Sequence, residues 1–205
     1  MKLQNFPKVT IILRGYSHSQ VRTVMQALLQ SSIRSVEITM NTEGALDMIK
    51  DFSREFGDEM YIGAGTVTTM KEAVSAIEAG AAFILSPVML SREIIDLCKK
   101  HSVISVPGAM TPTEIHNSLK DGADIVKVFP ANSCGAKFFK DIKAPLGDIP
   151  LMAVGGVNRE NAAEYLKSGA DYLGIGSGIF SKKDIEEENL EGLVKSLREF
   201  EEILG

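Results

Sequence analysis

Short apolar runs alternate with longer amphipathic segments from residue 8 onward. The runs Lys8–Leu13, Arg34–Thr39, Met60–Thr66, Ala82–Leu85, Val103–Val106, Ala123–Pro130, Leu151–Val154 and Asp171–Ile175 have the length and apolar character of buried strands. Between them, apolar positions recur at helical spacing over Ser19–Leu29, Glu43–Phe56, Thr69–Ala79, Arg92–Lys100, Thr113–Leu119, Lys137–Ile142 and Glu160–Lys167, with a last amphipathic helix over Leu190–Leu204.

A weak internal repeat marks three of the helix-to-strand turns: Glu78-Ala79-Gly80-Ala81, Lys120-Asp121-Gly122-Ala123 and Lys167-Ser168-Gly169-Ala170. Glycine just past a helix end closes the helix and lets the chain enter a strand. Strands alternating with helices imply a parallel sheet. Eight such units in about 200 residues imply a closed α/β architecture, the (β/α)8 or TIM barrel, with residues 1–205 as one domain. An open doubly wound sheet needs a glycine-rich turn after its first strand. That turn reads Arg14-Gly15-Tyr16-Ser17, which does not fit.

Composition narrows the function. The chain has 205 residues, a net charge of −5 and two cysteines, Cys98 and Cys134. The acidic balance argues against nucleic acid as a partner. Two cysteines without a Cys-x-x-Cys spacing suit a reducing compartment. No run is apolar enough to span a membrane, and the first eight residues lack the apolar core of a signal peptide, so the expected address is cytoplasmic.

The polar residues inside strands carry the chemistry. Lys127 lies on the face of Ile125 and Phe129, with Val126 and Val128 on the other. A buried ammonium needs a partner or loses its proton. Alternation sends Glu37 inward with Ser35 and Thr39, places Arg14 on the face of Ile12, and ends the third strand in Gly63-Ala64-Gly65-Thr66. In a barrel, groups at the C-terminal strand ends build the site. One reading of Lys127 and Glu37 is a buried ion pair that only fills the barrel; such pairs add little stability over apolar residues. The other is chemical.

The last two strands run into Gly155-Gly156-Val157-Asn158 and Gly174-Ile175-Gly176-Ser177-Gly178. Barrel loops at these places often bind phosphate through backbone N–H groups. A desolvated lysine attacks a ketone to form an imine, which then accepts electrons as a neighbouring bond breaks. A nearby carboxylate shuttles the protons, and an arginine holds a substrate carboxylate. These residues therefore point to an imine-forming aldolase acting on a phosphorylated 2-oxo acid.

The chain also resembles a known family, the 2-keto-3-deoxy-6-phosphogluconate (KDPG)/4-hydroxy-2-oxoglutarate (KHG) aldolases. The resemblance runs through Ile12-Leu13-Arg14-Gly15, Val36-Glu37-Ile38-Thr39, Ile62-Gly63-Ala64-Gly65-Thr66-Val67, Ser86-Pro87, Val106-Pro107-Gly108, Thr111-Pro112-Thr113-Glu114, Lys127-Val128-Phe129-Pro130-Ala131, Val154-Gly155-Gly156-Val157 and Gly174-Ile175-Gly176-Ser177. It implies Lys127 as the Schiff-base lysine, Glu37 as general acid/base, and Arg14 with Thr66 on the pyruvate carboxylate. Pro87 and Phe129 would wall the pocket; Gly155, Gly156, Gly176 and Ser177 would bind phosphate. The implied reaction gives pyruvate and D-glyceraldehyde 3-phosphate from the phosphorylated 2-keto-3-deoxy sugar acid without metal or organic cofactor, 4-hydroxy-2-oxoglutarate is a further implied substrate, and typical members are homotrimers.

Two departures from the gluconate-type pattern stand out. Asn41 follows Met40 where Leu-Arg is usual, and Val154 precedes the double glycine where threonine is usual. Both look like the branch that cleaves the galactonate epimer, 2-keto-3-deoxy-6-phosphogalactonate. A sugar-phosphate isomerase or epimerase, and a non-catalytic phosphate-sugar binder, are the other functions the same scaffold allows.

Other candidates carry less. His18, His101 and His116 show no ligand spacing and are expected at the surface or in packing. Cys134 has no histidine placed to activate it. Met25, Met48 and Met152 are expected core. Lys137, Lys140 and Lys143 are expected on a solvated helix face, and Ser181–Glu188 as a solvated loop.

Overall fold

A computed structural model describes residues 3–204, apart from the side chain of Ser177. Parallel strands form one sheet: β1 (Val9–Leu13), β2 (Ser35–Thr39), β3 (Tyr61–Gly65), β4 (Phe83–Leu85), β5 (Ile104–Val106), β6 (Gly108–Ala109), β7 (Val126–Val128), β8 (Leu151–Val154) and β9 (Tyr172–Ile175). Their order is β5-β4-β3-β2-β1-β9-β8-β7-β6. The two ends of that list are the two halves of one chain segment, interrupted only at Pro107, which lacks the N–H a ladder needs. The sheet therefore closes on itself as the expected TIM barrel.

Around it lie α1 (His18–Leu28), α2 (Ala45–Phe56), α3 (Met70–Glu78), α4 (Arg92–Lys100), α5 (Pro112–Lys120), α6 (Ala131–Cys134), α7 (Lys137–Leu146), α8 (Ala162–Lys167), α9 (Lys182–Glu186) and α10 (Leu190–Leu204). Ser17, Thr69 and Thr111 start α1, α3 and α5 with reciprocal capping boxes, each closed by Gln or Glu three residues on. Alternation along the strands divides the core in two. Val36, Ile38, Val126 and Val128 face the helices, while Phe83, Leu85, Ile104, Val106, Ile125 and Met152 fill the barrel interior.

The three repeated turns share one hydrogen-bond pattern. Gly80, Gly122 and Gly169 have φ of 96°, 93° and 105°. The next residue in each case, Ala81, Ala123 or Ala170, donates back to Ala76, Ser118 or Tyr165, the bond that defines a Schellman motif. After two of them comes an aspartate that stitches strand ends: Asp124 accepts from Ser105 N and Oγ, and Asp171 accepts from Leu151 N.

The interior is stoppered at its N-terminal end by Phe6. Its ring meets Tyr61, Phe83 and Tyr172 edge-on, with centroids 5.3, 5.3 and 5.7 Å away. Tyr61 and Tyr172 open β3 and β9, so that mouth is sealed and the opposite one holds the site.

Several expectations need correction. The lysine strand is Val126–Val128 only, and the loop after it holds the short helix α6. The helix expected over Lys137–Ile142 continues to Leu146, where Pro145 and then Gly147 end it. Ser181–Glu188 is not a solvated loop: α9 forms there because Ile185 is fully buried among charged neighbours. Lys137 and Lys140 are exposed as expected, but Lys143 is not. Its Nζ sits 2.8 Å from Asp171 and 3.2 Å from Asp148, and these carboxylates raise its pKa against the burial that lowers it.

Candidate active site

The strand register brings the inward polar residues to the C-terminal mouth. Ile12 on β1 pairs with Glu37 on β2, and Glu37 with Gly63 on β3. Across the barrel, Lys127 pairs with Gly108 on one side and Met152 on the other. A cavity of about 400 Å³ opens at this end. Arg14, Glu37, Thr66, Pro87, Lys127, Phe129, Gly155, Gly156 and Gly176 all line it. Ile12, Val154, Val157 and Gly174 complete the wall. Ser177 begins the 3-10 turn Ser177–Ile179 after β9, and its side chain lies outside the described residues.

Lys127 and Glu37 are both buried, with 5% and 1% of their surface exposed. They form no direct ion pair among the described residues, and Glu37 Oε2 has no hydrogen-bond partner. The barrel-filling salt bridge is therefore not what is built. Burial pushes the Glu37 carboxyl up from 4.5 to about 7, against the nearby charges of Lys127 and Arg14, which pull it down. Burial also lowers the Lys127 pKa; Glu37 opposes that shift and Arg14 adds to it. Burial thus favours the neutral form of both groups relative to water. The ring of Phe129 lies under the amine, with Nζ 4.6 Å from its centroid, so any positive charge on that nitrogen meets a π-face.

Glycines make this arrangement fit. A Cβ on Gly65 would fall 1.6 Å from Glu37 Oε1, so the carboxylate occupies the space where that side chain would stand. Just beyond, Thr66 takes φ of +60°, a left-handed conformation that is costly for a β-branched residue and fits a pattern of strain at functional sites. Its Oγ1 accepts from Arg14 Nη2 at 3.2 Å, while Arg14 Nη1 donates to Asn41 Oδ1 at 2.8 Å. Thr39, two residues after Glu37 on β2, bonds Thr42 at 2.9 Å, and Thr42 accepts from Gly15 N, fixing the turn that carries Arg14.

The turn after β8 is aimed by its carbonyls. Gly155 O accepts from Asn132 N at 3.0 Å and Gly156 O from Asn161 Nδ2 at 2.8 Å. In a trans peptide the next N–H points opposite to the carbonyl. The N–H groups of Gly156 and Val157 therefore point away from those donors, and among the described residues neither has a protein acceptor. With φ of 94° and 74° at the two glycines, successive N–H groups can form an anion-binding concavity.

Asn41, Asn132 and Asn161 were not singled out for these roles by the sequence. Asn41 stands out as a departure from a pattern; Asn132 acts through its backbone N–H and Asn161 through its side-chain amide, each on a glycine carbonyl, and neither leaves a periodic signal. The histidines stay out of the site: His18 bonds Asp51 at 3.3 Å and stacks on Phe52. Burial raises the Cys134 thiol pKa, which keeps it protonated. Among the described residues no group of three or more His, Cys, Asp or Glu side chains is arranged for a metal ion, and no helix is long and apolar enough to cross a membrane.

The chain is similar to proteins of known activity. Residues 2–196 match the family model described as KDPG and KHG aldolase. A 2-dehydro-3-deoxy-6-phosphogalactonate aldolase of Escherichia coli is 31% identical over 181 residues, covering 88% of each chain. A 2-dehydro-3-deoxy-phosphogluconate aldolase of Pseudoalteromonas atlantica is 39% identical over 157 residues, covering 76% of this chain and 71% of that one. The crystal structure of the KDPG aldolase of Legionella pneumophila, with pyruvate captured as a covalent carbinolamine intermediate, superposes with a TM-score of 0.85 at 26% identity over 95% of this chain and 94% of that one.

Proposed function

Since this chain belongs to the KDPG and KHG aldolase family, and so to the carbon–carbon lyases, we propose that it is a Schiff-base aldolase cleaving 2-keto-3-deoxy-6-phosphogluconate to pyruvate and D-glyceraldehyde 3-phosphate. The observation that carries this reading is the pairing, in one cavity, of a buried lysine of lowered pKa with a buried carboxyl that titrates near 7. The Legionella structure, with its carbinolamine, supports the imine route.

In this reading the neutral Lys127 amine attacks C2 of the keto acid to give a carbinolamine. Glu37, as the acid, protonates the departing hydroxyl, and water leaves an iminium over the Phe129 ring. Glu37, now a carboxylate, takes the proton of the C4 hydroxyl as the C3–C4 bond breaks. The bond's electrons pass into the iminium as an enamine, and the aldehyde departs. Return of the proton to C3 and hydrolysis of the imine release pyruvate and free Lys127. Arg14 and Thr66 hold the substrate carboxylate, Pro87 and Phe129 wall the pyruvyl end, and amides around Gly155, Gly156, Gly176 and Ser177 take the phosphate.

A second reading concerns the epimer. Val154 in the wall and Asn41 beside Arg14 favour 2-keto-3-deoxy-6-phosphogalactonate as the substrate. The same site, without its phosphate contacts, admits 4-hydroxy-2-oxoglutarate.

Borohydride reduction in the presence of pyruvate tests the chemistry. The expected result is a pyruvate-derived mass on the peptide containing Lys127, absent in Lys127→Ala, which also loses cleavage. A Lys127→Ala protein that cleaves at the wild-type rate sinks the reading. Comparing kcat/KM on the two epimers then assigns the substrate.

A further inference from the structure

Arg159 follows Gly156 by three residues and reaches the neighbouring turn. Its Nε and Nη2 donate to the carbonyl of Ile179 at 3.1 and 2.6 Å. Nη2 also donates to Ser196 O at 3.1 Å, and Nη1 to the Glu199 carboxylate at 2.8 Å. Ile179 closes the 3-10 turn after β9, while Ser196 and Glu199 belong to α10. One guanidinium therefore joins the turn after β8, the turn after β9 and the outer helix. Its side chain is only 27% exposed.

Arg159 does not line the active cavity; it lines a separate groove, with Ile179, Phe180 and Glu199. It thus meets the turn after β9 from outside the cavity. We propose that Arg159 is a positioning residue for phosphate recognition, holding the Ser177–Ile179 turn at a fixed distance from the Gly155-Gly156 turn so that amides of both converge on one phosphate. The inference rests on the phosphate role given to these two turns above.

The physical case is geometric. Backbone donors from two separate loops serve one anion only if the loops keep their spacing to within about 0.5 Å. Short glycine-rich turns have little stiffness of their own. A planar guanidinium that grips one carbonyl with two donors, and is itself pinned by a carboxylate, supplies it. A lysine has the charge but not the fork, and alanine has neither.

The test uses the condensation of pyruvate with D-glyceraldehyde 3-phosphate or with unphosphorylated D-glyceraldehyde. Inorganic phosphate serves as a competitive inhibitor and as a probe of thermal stabilisation, at ionic strength matched with chloride. For both Arg159→Ala and Arg159→Lys, KM for the phosphorylated aldehyde and Ki for phosphate should rise about tenfold, as expected for displaced positioning groups. KM for D-glyceraldehyde and kcat should stay within about twofold, a split that a general loss of packing would not produce. Full retention by Arg159→Lys overturns the clamp in favour of a long-range charge effect. Equal losses on both aldehydes, or no loss in either variant, overturn it as well. A wild-type protein that neither prefers the phosphorylated aldehyde nor is stabilised by phosphate refutes the phosphate reading itself, before any variant is made.

Discussion

Gly65 and Glu37 share one volume: a Cβ built on Gly65 would lie 1.6 Å from Glu37 Oε1 and 2.2 Å from its Cδ. The carboxylate reaches along the strand into the space that an ordinary residue would fill. Gly63, two residues earlier on the same strand, is confined differently. A Cβ there would meet the Phe83 ring at 2.3 Å, deep in the barrel core.

The two glycines therefore predict separable defects. Gly65→Ala displaces the proposed proton shuttle and should lower kcat by ~10² or more, with the far-UV spectrum unchanged. Gly63→Ala overpacks the interior and should cost roughly 1–3 kcal/mol in urea unfolding, with kcat in the folded protein changed only a few-fold. Similar kinetics for the two variants would refute the distinction.

Glu37 also predicts how stability depends on pH. Its pKa is raised from 4.5 to about 7 by folding. Between those values the native state keeps a proton that the unfolded chain has lost, so this group makes stability fall as pH rises. The burden grows from pH 4.5, levels off above about 7, and amounts to at most about 3 kcal/mol. Glu37→Gln removes it. Relative to wild type, the variant should gain stability between pH 4.5 and 8 while cleaving ~10²–10⁴-fold more slowly. A stability difference that is flat across that range would contradict the burial argument.

Arg14 is exposed and held by two neutral acceptors, Asn41 at 2.8 Å and Thr66 at 3.2 Å. Removing one acceptor leaves the guanidinium attached but less fixed. Asn41→Ala should raise KM for pyruvate in condensation by about three- to tenfold, the scale of one hydrogen bond. Arg14→Gln should raise it further, with imine trapping at Lys127 retained at high pyruvate. A larger effect from Asn41→Ala than from Arg14→Gln would make Asn41, not Arg14, the primary contact.

These contacts show what the sequence disclosed and what it withheld. Alternation placed Val126 and Val128 outward and Lys127 inward, and both assignments hold because a strand's faces are set by a period of two. The same rule put Glu37 and Arg14 at one mouth. Periodicity reports a face, not a partner. It did not reveal that Lys143 is claimed by Asp171, 28 residues away, or that Arg159 bonds Ile179. A lone buried residue in a charged run, such as Ile185, has no periodic companion to announce it. Phe6 precedes the first strand, and only closure of the barrel gives it a mouth to seal.

Val154 bears on the choice between epimers. It lines the cavity next to the double glycine and packs on β9 so closely that a Cβ on Gly174 would lie 2.7 Å from its Cγ2. Its position is thus fixed by backbone, and a threonine would occupy the same place with a hydroxyl replacing one methyl. A buried hydroxyl needs a hydrogen-bond partner. The two substrates differ only in the direction of the C4 hydroxyl, so that partner is available to one of them. A site that gains or loses one such contact changes discrimination by ~10-fold or more. Val154→Thr should therefore shift the ratio of kcat/KM values toward the gluconate epimer by about tenfold, measured by pyruvate release from each substrate. An unchanged ratio would take Val154 out of the discrimination and leave it as wall alone.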